Sequence, residues 1–329
     1  MRSRLILGLA VAVGAFCGAA LSPLSAGPLP VPSKPRYVFQ RMGEDVLGAR
    51  TITALRQDRE GFLWVGTSDG LFRFDGATLV RYGASEGLEG DAITFLAEAP
   101  DGTLFAVTNR EVSWKRGDRF VRLPLPVPSE RRRLRGQVLA FDARSRIYVA
   151  TAAGLVRFPS TSDAGSLLGG LPEGQDPRVT AVTVLKNGTV LFFAGNDVFQ
   201  LGGDGAMAER LAVEGGATGP ASALLEDASG RVILRTSTRL YRRERPGEPF
   251  RSDDVGLPGA NDLGTIALDR LGEALVPTPV GLYVKRLGRW EAIDRTRGLA
   301  SNAVLAVCED REGALWIGYG GGGLERWPG

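Results

Sequence analysis

ITALRQDREGFLWVGTSDGLFRF at residues 52–74 and VLAVCEDREGALWIGYGGGGLERW at residues 304–327 stand near the two ends of the chain and read alike. Each has an apolar run, then Asp-Arg-Glu-Gly, then Leu-Trp with a β-branched residue and Gly, then a Gly-Leu run. With the turn glycine as anchor, weaker copies emerge at Gly61, Gly102, Ser145, Gly188, Gly230, Gly272 and Gly313. The spacings are 41, 43, 43, 42, 42 and 41 residues. Units of that length recurring along a whole chain point to a solenoid or a propeller.

Each unit reads as four short strands. The first is the apolar run, and an Asp-x-x-Gly turn closes it at Asp58, Asp142, Asp227, Asp269 and Asp310. Asp there accepts a backbone N–H two residues on, and Gly supplies the positive φ. The second strand, LWVGT-like, is apolar throughout and suits burial on both faces. The third starts at Gly-Leu, as at 70–74, 154–158 and 281–285. The fourth is weaker, at 78–82, 119–123 and 289–293, and in the third unit it falls within 160–171. Four strands in about 42 residues are one propeller blade. The expected fold is therefore all-β, a seven-bladed β-propeller of four-stranded blades over residues 36–329. The seventh unit ends at Trp327 without a fourth strand, whereas YVFQRMGEDVL (37–47) parallels LVRYGASEGL (79–88). The N-terminal strand is therefore expected to complete the last blade.

Composition narrows the function. The 329 residues contain no histidine, which removes histidine general-base chemistry, Ser-His-Asp and Cys-His catalysis and the commonest metal ligand. No catalytic residue, cofactor or metal is expected. The net charge of +3 comes from scattered arginines, with no continuous basic stripe, so nucleic acid is not an expected partner. Of the two cysteines, Cys17 lies in a leader and Cys308 in an apolar run, where it reads as a buried small hydrophobe. Residues 1–26 have Arg2 and Arg4, an apolar stretch from Leu5 to Leu21 and a small-residue end at Ala26, the pattern of a secretory signal peptide. A Pro-rich linker follows at 27–35. The expected location is periplasmic or secreted, with membrane attachment only through an uncleaved leader.

The units resemble the two-component regulator propeller repeat, D-x-x-G-x-L-W-[IV]-G-T followed by G-L. The match is close at Asp58–Leu71 and Asp310–Leu324, partial at Asp227–Leu240 and Asp269–Leu282, and poor in the fourth unit, where Phe192 and Phe193 break the pattern. The resemblance implies the periplasmic sensor region of a membrane-bound histidine kinase or diguanylate cyclase, with a saccharide as a common ligand. This chain departs from the family in carrying no Ig-like domain, second membrane span or transmitter module. It reads as a detached sensor region or a free-standing propeller with a separate partner. The expected function is a non-enzymatic extracytoplasmic sensor. The alternatives are a propeller polysaccharide lyase or glycosidase, and a protein-interaction scaffold.

Turns between second and third strands, and connections between units, share one rim of the ring, here called the upper rim. Propeller ligands usually bind there, on loops held by a rigid frame. Candidate ligand-binding groups in the turns are Ser68, Asp69, Asn109, Arg110, Asn196, Arg239 and Tyr319; in the connections they are Asn261 and Asn302. The run Glu130-Arg131-Arg132-Arg133-Leu134-Arg135, on the connection into the third unit, suits bidentate binding of an acidic glycan. Its duller reading is a solvated loop. Trp64 and Trp316 read as packing between blades, and Gly61, Gly102, Gly188, Gly230, Gly272 and Gly313 as turn residues. The repeat aspartates lie on separate blades and form no catalytic carboxylate pair.

Overall fold

A computed structural model describes residues 37–88, 92–128, 130, 134–202, 208–259, 264–286 and 288–328. The expected leader at 1–26 and linker at 27–35 lie outside the described residues, as do Arg131, Arg132, Arg133 and Asn261.

Seven four-stranded antiparallel sheets form a ring, one per repeat. Blade 1 comprises Ile52–Gln57, Leu63–Thr67, Gly70–Phe74 and Leu79–Tyr82; blade 2 comprises Ile93–Glu98, Leu104–Thr108, Val112–Arg116 and Arg119–Arg122. Blade 3 has a short inner strand, Leu139–Phe141, and a two-residue outer strand, Ser166–Leu167, inside the expected window. Blades 4 and 5 begin at Val179 and Ala221, and blade 6 at a two-residue inner strand, Ala267–Leu268. In blade 7 the strands Val304–Glu309, Leu315–Tyr319 and Leu324–Trp327 are completed by Gln40–Met42 from the chain start. That strand pairs Gln40 with Arg326 and Met42 with Leu324. Tyr37 and Phe39 pack their rings near Trp327, at 4.9 and 6.4 Å. The ring is thus closed by hydrogen bonds between the two ends of the chain, and only short outer edges remain.

The core lies between blades. Every second strand is buried along all five of its residues, from Leu63–Thr67 to Leu315–Tyr319. Each such strand is covered on both faces by neighbouring blades. Each buried Leu, Ile or Val contributes about 1.5–3 kcal/mol relative to exposure. Trp64 and Trp316 perform the expected packing role. Trp64 meets Phe120 of blade 2, with centroids 6.2 Å apart, and Trp316 meets Phe74 of blade 1 at 5.8 Å.

The turns behave as their residues dictate. Asp58, Asp142, Asp227 and Asp269 each accept the N–H two residues on, at 2.9–3.0 Å. The anchor glycines have φ between +79° and +98°. At the one anchor that is not glycine, Ser145 holds φ +57°, the sole non-glycine positive φ among the described residues. In blades 1 and 7 the second carboxylate oxygen of the turn Asp accepts the indole N–H of the repeat Trp, Asp58 from Trp64 at 2.6 Å and Asp310 from Trp316 at 2.8 Å. The Asp and Trp of the motif are therefore one unit, since the buried indole donor would otherwise be unsatisfied.

Candidate functional site

The upper mouth of the central channel is crossed by the chain itself. Gln137, on the connection into blade 3, donates its N–H to Ser222 O of blade 5 at 2.9 Å, and its own carbonyl accepts from Val182 N of blade 4 at 3.2 Å. Its side-chain Oε1 accepts from Leu224 N at 3.1 Å. A link from blade 3 to blade 5 spans a chord of the ring. Gly136 permits the approach, with φ +74° and a would-be Cβ 2.5 Å from Ser222 O. Below the crossing lies a vestibule of about 450 Å³, with Gln137 in its wall and Leu55, Phe95, Phe141 and Leu225 around it. Cys308 also lines it, half-buried, and burial raises the pKa of its thiol.

The structure distributes the expected ligand groups unevenly. Asn109 and Arg110, in the blade 2 turn, adjoin the connection that carries Arg135, because Leu134 N–H donates to Asn109 O at 2.9 Å. Leu134 is fully buried and Arg135 is exposed beside the channel crossing. The two segments that carry these residues are thus joined backbone to backbone. Asp69 is occupied by Arg50, at 3.1 Å to each oxygen, and by the Thr67 hydroxyl. Arg239 is paired with Asp254 at 2.6 Å, and that carboxylate raises the guanidinium pKa further. Asn302 accepts from Arg295 N at 2.9 Å and holds its own connection in shape. Asn196 is exposed on the blade 4 turn. Tyr319 is not a rim group. It closes the buried second strand of blade 7, is 0% exposed and donates its hydroxyl to Glu325. Burial and that carboxylate push its phenol pKa strongly upward. An aromatic at this position extends the strand inward, where the other repeats place a small residue such as Thr67.

The opposite, lower rim carries a belt that the single-residue reading missed. Arg59, just after the Asp of its turn, donates its N–H to Glu98 of the next blade at 3.0 Å and its guanidinium to the same carboxylate. Lys186 does the same to Glu226, Arg270 to Glu309 and Arg311 to Gln57 through their N–H groups. The acceptor always occupies the last position of the neighbouring inner strand. At the three remaining junctions that position is Phe141, Val184 or Leu268, and the donor position is Pro100, Ala143 or Ala228. The two positions covary around the ring, one repeat apart, and that pairing was available in the sequence.

Comparison with known proteins agrees with this architecture. The profile described as two-component regulator propeller matches residues 47–69 and 298–321, in blades 1 and 7. These blades carry that family's repeat. No curated protein matches in sequence. Among solved structures, the extracellular domain of hybrid two-component system BT4673 from B. thetaiotaomicron aligns with TM-score 0.70 and 18% identity, over 89% of this chain and 40% of that one. The corresponding domain of BT3049 from the same organism gives 0.69 and 18%, over 88% and 42%. This chain thus spans about two fifths of the length of these domains. A catalytically inactive histidine-to-alanine variant of virginiamycin B lyase from Staphylococcus aureus gives 0.68 and 9%, over 88% and 98%. At these identities the likeness is one of fold. Among the described residues no helix is long and apolar enough to cross a membrane.

Proposed function

We propose that this ring of two-component regulator propeller repeats is a non-enzymatic, extracytoplasmic sensory module that binds a saccharide at its upper rim. What supports this reading is that the turn carrying Asn109 and Arg110 is hydrogen-bonded to the connection carrying Arg135, which runs on to the channel crossing at Gln137. A floored mouth presents a rigid concave surface, and polar groups on short anchored loops are suited to recognition without movement. Solved structures of this fold include extracellular domains of hybrid two-component systems. By that likeness the partner is a membrane sensor kinase or diguanylate cyclase. The lyase with the same fold is inactivated by loss of a histidine, and this chain has none.

The test is a glycan array with wild-type protein and an Arg110→Ala/Arg135→Ala double variant, with product analysis on every glycan bound. A hit that the double variant loses, with the glycan recovered intact, is expected. Cleaved product would move the reading to a lyase or glycosidase. Binding only to a co-encoded membrane kinase would move it to a scaffold.

A further inference from the structure

The junction of blades 3 and 4 opens on the lower rim into a cleft of about 790 Å³. That is within the range of small-ligand sites. Its chemistry follows from three departures from the repeat. Tyr148 stands where blades 1 and 7 have Trp64 and Trp316. Arg146 stands where they have Phe62 and Ala314. Arg144 stands where they have Glu60 and Glu312. The smaller ring leaves room, and Glu-to-Arg reverses the local charge. The belt is also missing here, with Ala143 and Val184 in place of its cation and acceptor.

Among the described residues Asp142 is the one carboxylate lining the cleft, and it is committed. It accepts from the N–H groups of Arg144 and Arg146 at 3.0 and 2.9 Å, and from Arg146 Nε. Arg157 occupies the register position of Arg73 and Arg326 in the third strand. Those two lie over the rings of Phe62, at 4.5 Å, and Trp316, at 5.5 Å. Arg157 has no such ring, and among the described residues neither it nor the guanidinium of Arg144 makes an ion pair. Tyr148 is buried through its ring, and its hydroxyl makes no hydrogen bond among the described residues. Asn187 and Gln200 add neutral donors and acceptors from blade 4. Among the described residues the cleft therefore combines two guanidinium groups that make no ion pair, those of Arg144 and Arg157, with amide and phenol groups. Guanidinium forks suit planar oxyanions, and the neutral groups suit sugar hydroxyls.

We propose that this cleft binds an acidic saccharide, its carboxylate or sulfate held by Arg144 and Arg157 and its hydroxyls by Tyr148, Asn187 and Gln200. The site is on the opposite rim from the one proposed above and does not depend on it. The experiment is calorimetric titration of the full chain with tri-galacturonate, a sulfated heparin disaccharide and a neutral maltotriose. At least one acidic probe is expected to bind and maltotriose is not. Arg144→Ala and Arg157→Ala should each weaken binding about tenfold, as expected for loss of a charge-assisted contact. Arg157→Lys, which keeps charge and packing, should recover part of that affinity. Tyr148→Phe should weaken it about threefold, a neutral hydrogen bond's worth. The titrations are run in the Arg110→Ala/Arg135→Ala background, which removes the upper-rim groups, so that the heat reports this cleft alone. No binding by either acidic probe at millimolar concentration would overturn the proposal. So would equal binding of maltotriose, or affinity indifferent to Arg144→Ala and Arg157→Ala in variants with wild-type unfolding curves.

Discussion

The junction of blades 7 and 1 and the junction of blades 3 and 4 are built on the same repeat and have diverged. At the first, Trp316 is hydrogen-bonded to Asp310 and packed on Phe74, Arg311 reaches Gln57 and the Asp58 carbonyl, and Gly318 lets Ile52 press against the strand. At the second, Tyr148 replaces the tryptophan, Arg146 takes the second oxygen of the turn Asp, Ala143 and Val184 replace the belt, and a cleft remains. The chain's ends meet within blade 7, where Gln40–Met42 pairs with Leu324–Trp327 before the chain runs on into blade 1. The other three strands of blade 7 therefore reach blade 1 only through hydrogen bonds and side-chain packing, which the tight junction supplies. Away from the seam, consecutive blades are tethered by sequence, and the repeat is free to degenerate into something that can bind.

Three experiments would sharpen or break that contrast. Trp316→Ala should cost about 3–5 kcal/mol in denaturant unfolding, as a cavity forms and the buried Asp310 carboxylate loses a donor. Tyr148→Ala, at the same register position beside an existing cleft, should cost clearly less. Equal losses would show that the seam is not special. Gly318→Ala drives a methyl into Ile52 of blade 1, at a backbone conformation any residue can adopt. It should cost about 1–3 kcal/mol by overpacking. The corresponding Ala150→Gly in blade 3 should show no comparable strain in the same unfolding assay. Third, Ala143→Arg with Val184→Glu grafts the belt onto the blade 3–4 junction. Stability should change by at most about 0.5–1 kcal/mol, the worth of an exposed pair. Binding of the acidic probe should fall, because the new Glu sits beside Arg144 and Arg157. A graft that left both unchanged would separate the belt from the cleft.

Legibility in the sequence follows the same line. The two regular repeats, Asp58–Leu71 and Asp310–Leu324, could be read directly, and their spacing located the five weaker ones. The outer strand of blade 3 could be bracketed only to 160–171, because two residues, Ser166–Leu167, carry no periodic signal. Among rim candidates, the turn of Asn109 and Arg110 lies against the connection of Arg135, joined through Leu134. Asp69, Arg239 and Asn302 turned out to be engaged with neighbouring groups, and Tyr319 to be interior. A residue at the end of a strand faces rim or core according to one step of register, which the turn motif alone does not settle.

The amino-acid sequence by itself determined the blade count, the turn positions and the closure by the chain start. These depend on local chemistry: a side-chain oxygen capping its own turn, a glycine taking positive φ, a run of apolar residues one strand long. The tertiary structure alone decided that Gln137 crosses the channel to Leu224 and that a cleft opens beneath Tyr148. Each of these is a relation between side chains one or two repeats apart. Such partners are chosen by which blades the closed ring makes neighbours, and by how much space the facing side chains leave.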